Sequence, residues 1–207
     1  MLPEDTIIQR VYNCVAEYKR ATLVDSLPQA AAASRSTPLH SAHRATKWVK
    51  PDAGMVKINS DANLQINGAW GLGGIIRDNE GLVMAAGTWL VHGHDHALEA
   101  EAFAMLTTMK FTAECGFRSV MFEGDNERLI RMVKEGLIQD RFYPGLMVQE
   151  ILKTKLAFDK YLFSFIPRTG NKVAHHLAQL AHSDPNMIWM EEVPLAITSM
   201  YLHDILN

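Results

Sequence analysis

Cysteine is scarce in this sequence, since Cys14 and Cys115 are the only two among 207 residues. Two cysteines cannot build the disulfide framework of a small secreted domain, and such usage is typical of a reducing compartment. No run of about 18 apolar residues occurs, so no transmembrane helix is predicted. The first residues, MLPEDTIIQRVY, carry acids where a secretory signal peptide needs a basic region and then an apolar stretch. We therefore expect an intracellular protein, nuclear or cytoplasmic, without membrane contact.

A strong excess of positive charge is also absent. Residues 1–50 contain seven Lys/Arg and four Asp/Glu, a net charge of +3, whereas the remainder contains 13 Lys/Arg and 19 Asp/Glu, a net charge of −6. An unaided, salt-driven clamp on nucleic acid needs a basic surface and is disfavoured. An enzyme that recruits its own cations is compatible with this distribution.

The composition divides the chain into three parts. Residues 1–47 are predicted to be an N-terminal helical segment, which offers a possible site for a protein partner, followed by a flexible linker rich in Ala, Ser, Thr and Pro. Residues 48–185 show dense periodic patterns and are predicted to be one folded domain. Residues 186–207 are predicted to be a C-terminal helical extension.

The patterns in residues 48–185 predict an α/β domain. Three strands joined by turns come first, and they are followed by a helix, a strand, helices, a strand and a last helix. This order predicts a mixed five-stranded sheet, with three antiparallel strands and then two parallel ones. Helices are expected on both faces of the sheet.

Three acidic residues fall near the ends of predicted elements. Asp61 lies at the end of the apolar run of the first strand, Glu101 in the first turns of the long helix, and Asp125 directly after the fourth strand. Carboxylates that converge from three elements suit Mg²⁺ or Mn²⁺. Spacing alone leaves structural alternatives open, namely a turn former at Asp61, a solvated helix residue at Glu101 and a helix N-cap at Asp125.

Five sequence blocks carry a family resemblance. INSDAN, GLGGIIRDNEG, AEAFA, FEGDNERLI and RTGNKVAHHLA occur in this order in residues 48–185. In order and spacing they resemble ribonuclease H-like domains, most of all the plant branch found in retroelement-derived proteins, which is related to the ribonuclease H of reverse transcriptases. The resemblance implies a ribonuclease H-like fold.

The resemblance also implies an activity and its site. Members of the family cleave the RNA strand of RNA–DNA hybrids with two divalent ions, Mg²⁺ or Mn²⁺, that bracket the scissile phosphate. By motif, Asp61, Glu101 and Asp125 would be catalytic residues and metal ligands. Glu99 lies about 200° around the helix from Glu101, and Glu123 is distinguished from Asp125 only by the motif; both are expected to lie outside the cluster.

The fourth position of the site departs from the ribonuclease H pattern. Where GN-x-x-A-D-x-L-A has an aspartate, this chain has His175 within GNKVAHHLA. The resemblance implies that His175 is a fourth catalytic residue and metal ligand, because related nucleases use histidine there and the plant branch commonly shows it. The alternative is a packed helix histidine. His176 should point elsewhere, because adjacent helical residues diverge by about 100°.

Other candidate residues surround these motifs. Arg168 and Asn171 match the family's R-x-x-N and are expected to bind substrate, although Asn171 could instead make a structural hydrogen bond at the helix start. The tract HGHDH resembles a zinc-binding sequence, but solvated loop histidines are the favoured interpretation. Three tryptophans are expected to pack in the core or at the sheet edge: Trp48, Trp70 and Trp89.

The sequence therefore predicts a two-metal-ion endonuclease that hydrolyses the RNA strand of RNA–DNA hybrids. A second hypothesis is a domesticated domain with weak or no hydrolysis, which binds nucleic acid or a protein partner. The three carboxylates favour the enzyme, whereas His175 and the lack of a basic surface favour the second hypothesis.

Overall fold

The computed structural model describes residues 47–137 and 143–206. Within these ranges the strands are β1 (Val56–Leu64), β2 (Ala69–Arg77), β3 (Val83–His92), β4 (Ser119–Gly124), β5 (Lys160–Phe165) and β6 (Ile188–Met190). The α-helices are α1 (Ala97–Glu114), α2 (Glu127–Glu135), α3 (Tyr143–Thr154), α4 (Lys172–Leu180) and α5 (Thr198–Leu206). The predicted N-terminal segment and linker lie, except for Lys47, outside the described residues. None of the described helices is both long and apolar enough to cross a membrane.

The strands form one mixed sheet in the order β5-β4-β1-β2-β3-β6. β1, β2 and β3 are antiparallel neighbours, and β4 and β5 add to the other side of β1 as parallel strands. The predicted arrangement of three antiparallel and two parallel strands is confirmed. The parallel pairing brings the carboxyl ends of β4 and β5 to one edge of the sheet, where a site can form.

A sixth strand corrects the predicted strand number among the described residues. β6 lies in the stretch predicted as a helical extension, and it pairs antiparallel with β3, with Ala86 opposite Trp189. Three residues are too short for periodicity to reveal a strand. The pairing covers part of the edge of β3, which would otherwise present unpaired backbone groups.

Glycines in β2 show that helices cover both faces of the sheet. A Cβ atom on Gly73 would lie 2.3 Å from the backbone nitrogen of Ala178 in α4, whereas one on Gly74 would lie 2.6 Å from Thr108 Oγ1 in α1. Because successive strand residues point to opposite faces, α4 and α1 lie on opposite sides. The missing side chain at Gly73 lets α4 approach the sheet closely.

The residues after 186 are part of this packing. The side chain of Arg77, 1% exposed, pairs with Asp204 of α5 at 2.9 Å and donates to Asn59 Oδ1 at 2.8 Å. The Arg77 guanidinium also lies 3.8 Å from the centre of the Trp48 ring. Tyr201 of α5 donates from its hydroxyl to the Gly81 carbonyl at 3.1 Å. Helix α5 is therefore fixed to the sheet by polar contacts within the core.

The helix boundaries follow local capping. The His96 side chain accepts a hydrogen bond from the Glu99 backbone N–H at the start of α1, and Gly116, at φ 81°, follows its end. Asn126 caps α2 through the Leu129 N–H, and Gly136 ends it in the left-handed region at φ 64°. Gly116 and Gly136 thus follow the last residues of α1 and α2 directly or within one residue.

Candidate active site

Asp61 lies in the middle of β1 and is the most buried acid of the predicted site. The strand continues to Leu64, so Asp61 does not end it as the apolar pattern suggested. Its partner on β2 is Gly73, and Asp61 itself is 2% exposed. A buried residue inside a strand is no turn former, and that alternative is wrong. The next residue, Ala62, has a negative φ, so alanine there causes no backbone strain.

Glu101 and Asp125 approach the same place from two other elements. Glu101 lies in the second turn of α1, and Asp125 follows Gly124, the last residue of β4. The side chain of Asn126, not that of Asp125, caps α2. The interpretation of Asp125 as a helix N-cap is therefore wrong, and its carboxylate is available to the site.

The three carboxylates converge. One oxygen from each of Asp61, Glu101 and Asp125 lies within 4.8 Å of the other two, and this is the only such His/Cys/Asp/Glu group in the described part of the chain. Glu123 lies outside it, because its carboxylate pairs with Lys57 Nζ at 2.9 Å. Glu99 also lies outside and lines a separate cavity. The motif distinguished the converging acids from their neighbours correctly.

Burial and the crowding of negative charge raise the pKa values of two acids in this cluster. Burial, then the charges of Asp61 and Asp125, raise the pKa of Glu101 well above its usual value. Burial, then the charge of Asp61, raise the pKa of Asp125 from 3.8 to about 6. The positive charge of Arg168 acts in the opposite direction on both. The cluster therefore has more negative charge than its protein surroundings neutralise, which favours a bound cation.

His175 reaches the cluster through Asp61. Its Nδ1 lies 2.7 Å from Asp61 Oδ2, and its side chain is 16% exposed. His175 is not a member of the mutually close group, so it contacts one side of the cluster. The His176 ring instead faces its own helix, with Nδ1 2.8 Å from the Lys172 carbonyl oxygen. The two histidines therefore diverge in the predicted way.

Two further side chains surround His175. Arg168 Nη2 lies 3.2 Å from both ring nitrogens of His175, and Arg168 is exposed beside the carboxylates. Gln179 Nε2 lies 3.2 Å from His175 Nε2. This contact of Gln179 was not predicted, although its position one helical turn after His175 could have indicated it.

Asn171 has a structural contact in place of the predicted substrate contact. It is 1% exposed, and its Nδ2 donates to the Ser60 carbonyl at 3.0 Å. A side chain buried to this extent cannot reach a nucleic acid strand at the surface. The contact fixes the start of α4 to the residue before Asp61, and this is the structural alternative considered from the sequence.

The remaining candidates lie outside the cluster. His92, His94 and His96 form no metal-binding group among the described residues, and His96 serves as the cap of α1. Trp48 and Trp70 are buried, and Trp89 packs edge-on against Phe111, so the expectation of core packing is confirmed.

The sequence of residues 59–181 matches the family model described as reverse transcriptase-like. The chain belongs to this reverse transcriptase-like family. The match contains the three carboxylates and His175, and it covers more than half of the chain. No curated protein matches the chain.

Solved structures of ribonucleases H share the fold of this family member. Ribonuclease H1 from Halobacterium salinarum aligns with a TM-score of 0.59 at 20% identity, over 63% of this chain and 98% of that one. LC11-RNase H1, solved in complex with an RNA/DNA hybrid, aligns with a TM-score of 0.57 at 19% identity, over 62% and 97%. The N-terminal ribonuclease H domain of a Mycobacterium tuberculosis protein aligns with a TM-score of 0.56 at 17% identity, over 63% and 94%. The ribonuclease H-like α/β fold predicted from the sequence is confirmed.

Proposed function

We propose that this protein is a divalent-metal-dependent endonuclease that hydrolyses the RNA strand of RNA–DNA hybrids. The observation that carries the proposal is the convergence of Asp61, Glu101 and Asp125 within 4.8 Å. Membership of the reverse transcriptase-like family supports it. The hybrid as substrate is supported by the fold shared with LC11-RNase H1, whose structure contains an RNA/DNA hybrid.

The residues present fit Mg²⁺ or Mn²⁺. All three donors are carboxylates, which hard divalent cations prefer, and burial together with the neighbouring carboxylates raises the pKa of Glu101 and of Asp125, an effect that a bound cation would offset. We assign Asp61, Glu101 and Asp125 as the residues that would hold two ions. Bound there, the ions would supply an activated water and charge stabilisation at the phosphate.

Three other side chains contact or position the carboxylate site. The Nδ1 atom of His175 contacts Asp61 Oδ2, and we propose His175 as the fourth catalytic residue and metal ligand. The exposed guanidinium of Arg168 lies next to the cluster and is placed to attract a phosphate. Buried Asn171 fixes α4 to β1 and positions His175. We further propose a plant retroelement origin and a nuclear or cytoplasmic location, both based on the motifs and composition.

A cleavage assay tests the proposal. End-labelled RNA–DNA hybrid is incubated with the full chain in Mg²⁺ or Mn²⁺, and duplex RNA and duplex DNA of the same sequence serve as controls. We expect cleavage of the RNA strand of the hybrid, and its loss in EDTA and in Asp125→Asn. Asp159→Asn, a change at an exposed acid outside the cluster, should cleave like the wild type. No hybrid cleavage with either ion, or equal cleavage by Asp125→Asn, would contradict the proposal.

A second candidate function is binding of nucleic acid or a protein partner without hydrolysis. The contact between His175 Nδ1 and Asp61 Oδ2 favours it, because one oxygen of the most buried carboxylate already has a protein partner. Retention of the hybrid on a native gel without cleavage in any metal would favour this function. The proposed partner contact through the N-terminal helix lies outside the described residues.

A further inference from the structure

A cavity of about 200 Å³ lies beside α1. Asp61, Glu101 and Asp125 do not line it. Glu99 does, and its side chain points about 200° around the helix from that of Glu101, two residues later. The cavity is therefore separate from the carboxylate cluster. Its main lining residues are Trp70, Val91, His94, Glu99, Phe103 and Met147.

Glu99 lines this cavity, and one of its carboxylate oxygens has no hydrogen-bond donor among the described residues. Glu99 is 9% exposed, and its Oε2 is buried and accepts no hydrogen bond from any described residue. Among the described residues no lysine, arginine or histidine forms an ion pair with it. A buried carboxylate oxygen without a donor is costly, so a positively charged ligand in the cavity beside Glu99 would offset this cost.

Two aromatic rings line the same cavity. Trp70 and Phe103 contact each other edge to face, with ring centres 6.3 Å apart. The Trp70 indole is fixed because its Nε1 donates to the His94 carbonyl at 3.0 Å. Gly93 allows this position, since a Cβ there would lie 2.2 Å from the indole ring. Aromatic walls attract cations through the negative potential of the ring face, Trp most strongly.

These features select one class of ligand. An anion would be repelled by Glu99, and a neutral apolar ligand would leave the charge of Glu99 without a counter-ion. A divalent metal ion would need more oxygen or nitrogen ligands than Glu99 offers, and no such group is found here among the described residues. We propose that the cavity binds an organic cation of the ammonium or guanidinium class, with Glu99 as its counter-ion and Trp70 and Phe103 as its walls. This inference does not depend on the nuclease proposal.

The first experiment compares two probes of one shape. ¹H–¹⁵N spectra of the full chain are recorded during titration with methylguanidinium chloride and, separately, with neutral N-methylurea. We expect a saturable shift of the Trp70 indole N–H with methylguanidinium, while that of Trp189 on β6 stays unchanged. N-methylurea should bind at least about tenfold more weakly, because a charge-assisted hydrogen bond to carboxylate is lost. Equal binding of the two probes, or no shift at Trp70, would overturn the proposal.

Variants then locate the counter-ion. Glu99→Gln keeps the shape of the side chain and should weaken methylguanidinium binding at least about tenfold. Glu114→Gln, at the exposed end of the same helix, should bind like the wild type. Asp125→Asn should also keep its affinity, whereas loss there would place the cation at the carboxylate cluster and overturn the proposal. Unchanged affinity in Glu99→Gln would also overturn the proposal. If Glu99→Gln does not fold, the comparison of methylguanidinium with N-methylurea on the wild type decides the question.

Two larger probes identify the source of the cation. Spermidine represents a free polyamine, and N-acetylarginine amide represents the side chain of a peptide. Each should compete with methylguanidinium and shift the Trp70 indole N–H resonance. The probe that binds with the higher affinity identifies the source. Failure of both to compete would overturn the proposal.

Discussion

His175 Nδ1 lies 2.7 Å from Asp61 Oδ2, and this contact joins α4 to the middle of β1. The imidazole therefore stands beside the most buried carboxylate of the cluster. A neutral ring adds no negative charge to the site, whereas the aspartate of the ribonuclease H pattern would. The identity of the preferred cation should depend on this one position.

Replacing His175 by aspartate tests that dependence. Wild type should cleave hybrid faster with Mn²⁺ than with Mg²⁺, because imidazole is a poor partner for Mg²⁺. His175→Asp adds a hard oxygen donor and should raise the Mg²⁺-dependent rate by about tenfold, the scale on which site ligands alter metal affinity. His176→Ala is the matched control, because its ring contacts the Lys172 carbonyl of its own helix. Equal Mg²⁺ rates for wild type and His175→Asp would mean that His175 only packs.

Divalent cations should stabilise the folded protein. A ligand that binds only the native state at 100 times its Kd adds about 2.7 kcal/mol to the free energy of unfolding. We expect Mg²⁺ and Mn²⁺ to raise the melting temperature of wild type in scanning calorimetry. The increase should be smaller in Asp125→Asn and unchanged in Glu114→Gln. Equal increases in wild type and Asp125→Asn would show that the ions bind elsewhere.

Much of this site could be predicted from the sequence, because each carboxylate sits in a motif that also fixes its element. The end of β4 before Asp125 and the second turn of α1 at Glu101 were both indicated by local patterns. What could not be predicted depends on distant contacts. Asn171 donates to Ser60, 111 residues earlier, and its burial follows from how α4 lies on β1.

Buried charge was the other feature that local patterns did not indicate. Lys57 alternates with apolar neighbours as an exposed strand residue would, yet it is 4% exposed and pairs with Glu123. Arg77 and Asp204 pair across 127 residues. Such a charge is stable in the core only when its partner is buried beside it, and a sequence pattern does not show which distant residues will pair.

The raised pKa of Asp125 predicts a pH dependence of stability in the metal-free protein. Its ordinary value of 3.8 is raised to about 6, so the folded state holds the proton more tightly than the unfolded state. The stability from this group is complete below pH 3.8 and is lost as the pH rises through about 6. Asp125→Asn removes this loss.

The test is the difference in melting temperature between Asp125→Asn and wild type, measured in EDTA. This difference should increase in favour of the variant as the pH rises from 4 to 7, since the variant avoids burying a charge there and removes repulsion from Asp61. Saturating Mn²⁺ should reverse its sign. A variant that is less stable than wild type at every pH in EDTA would point to a structural role for Asp125.

The buried pair of Arg77 and Asp204 should fix α5 to the sheet. The two side chains are 1% and 5% exposed and 2.9 Å apart. Asp204→Ala leaves the guanidinium with a buried, unpaired charge, and breaking such a pair costs about 3–5 kcal/mol. Urea denaturation should show this loss. Glu150→Ala, which breaks the exposed pair with Lys153, should leave the midpoint nearly unchanged. Equal midpoints for the two variants would mean that α5 does not depend on the pair.

Helix α4 approaches the sheet closely at Gly73, which is opposite Asp61 on the neighbouring strand. A Cβ atom there would lie 2.3 Å from Ala178 N and 2.5 Å from Ala174 O, so Gly73→Ala forces α4 away from β2. Overpacking of this kind costs about 1–3 kcal/mol. Since α4 carries His175, the displacement should also lengthen its contact with Asp61.

Gly73→Ala should therefore lower both the melting temperature and the rate of hybrid cleavage. The cleavage rate should be reduced even at a temperature where the variant is fully folded. Gly124→Ala is the control for stability, because the nearest atom to its new Cβ would be the Met105 methyl at 3.4 Å, an ordinary contact. Calorimetry and single-turnover cleavage on the two variants separate the effects. A folded Gly73→Ala protein with the wild-type rate would show that the site tolerates movement of α4, and His175 would then have no positioning role at Asp61.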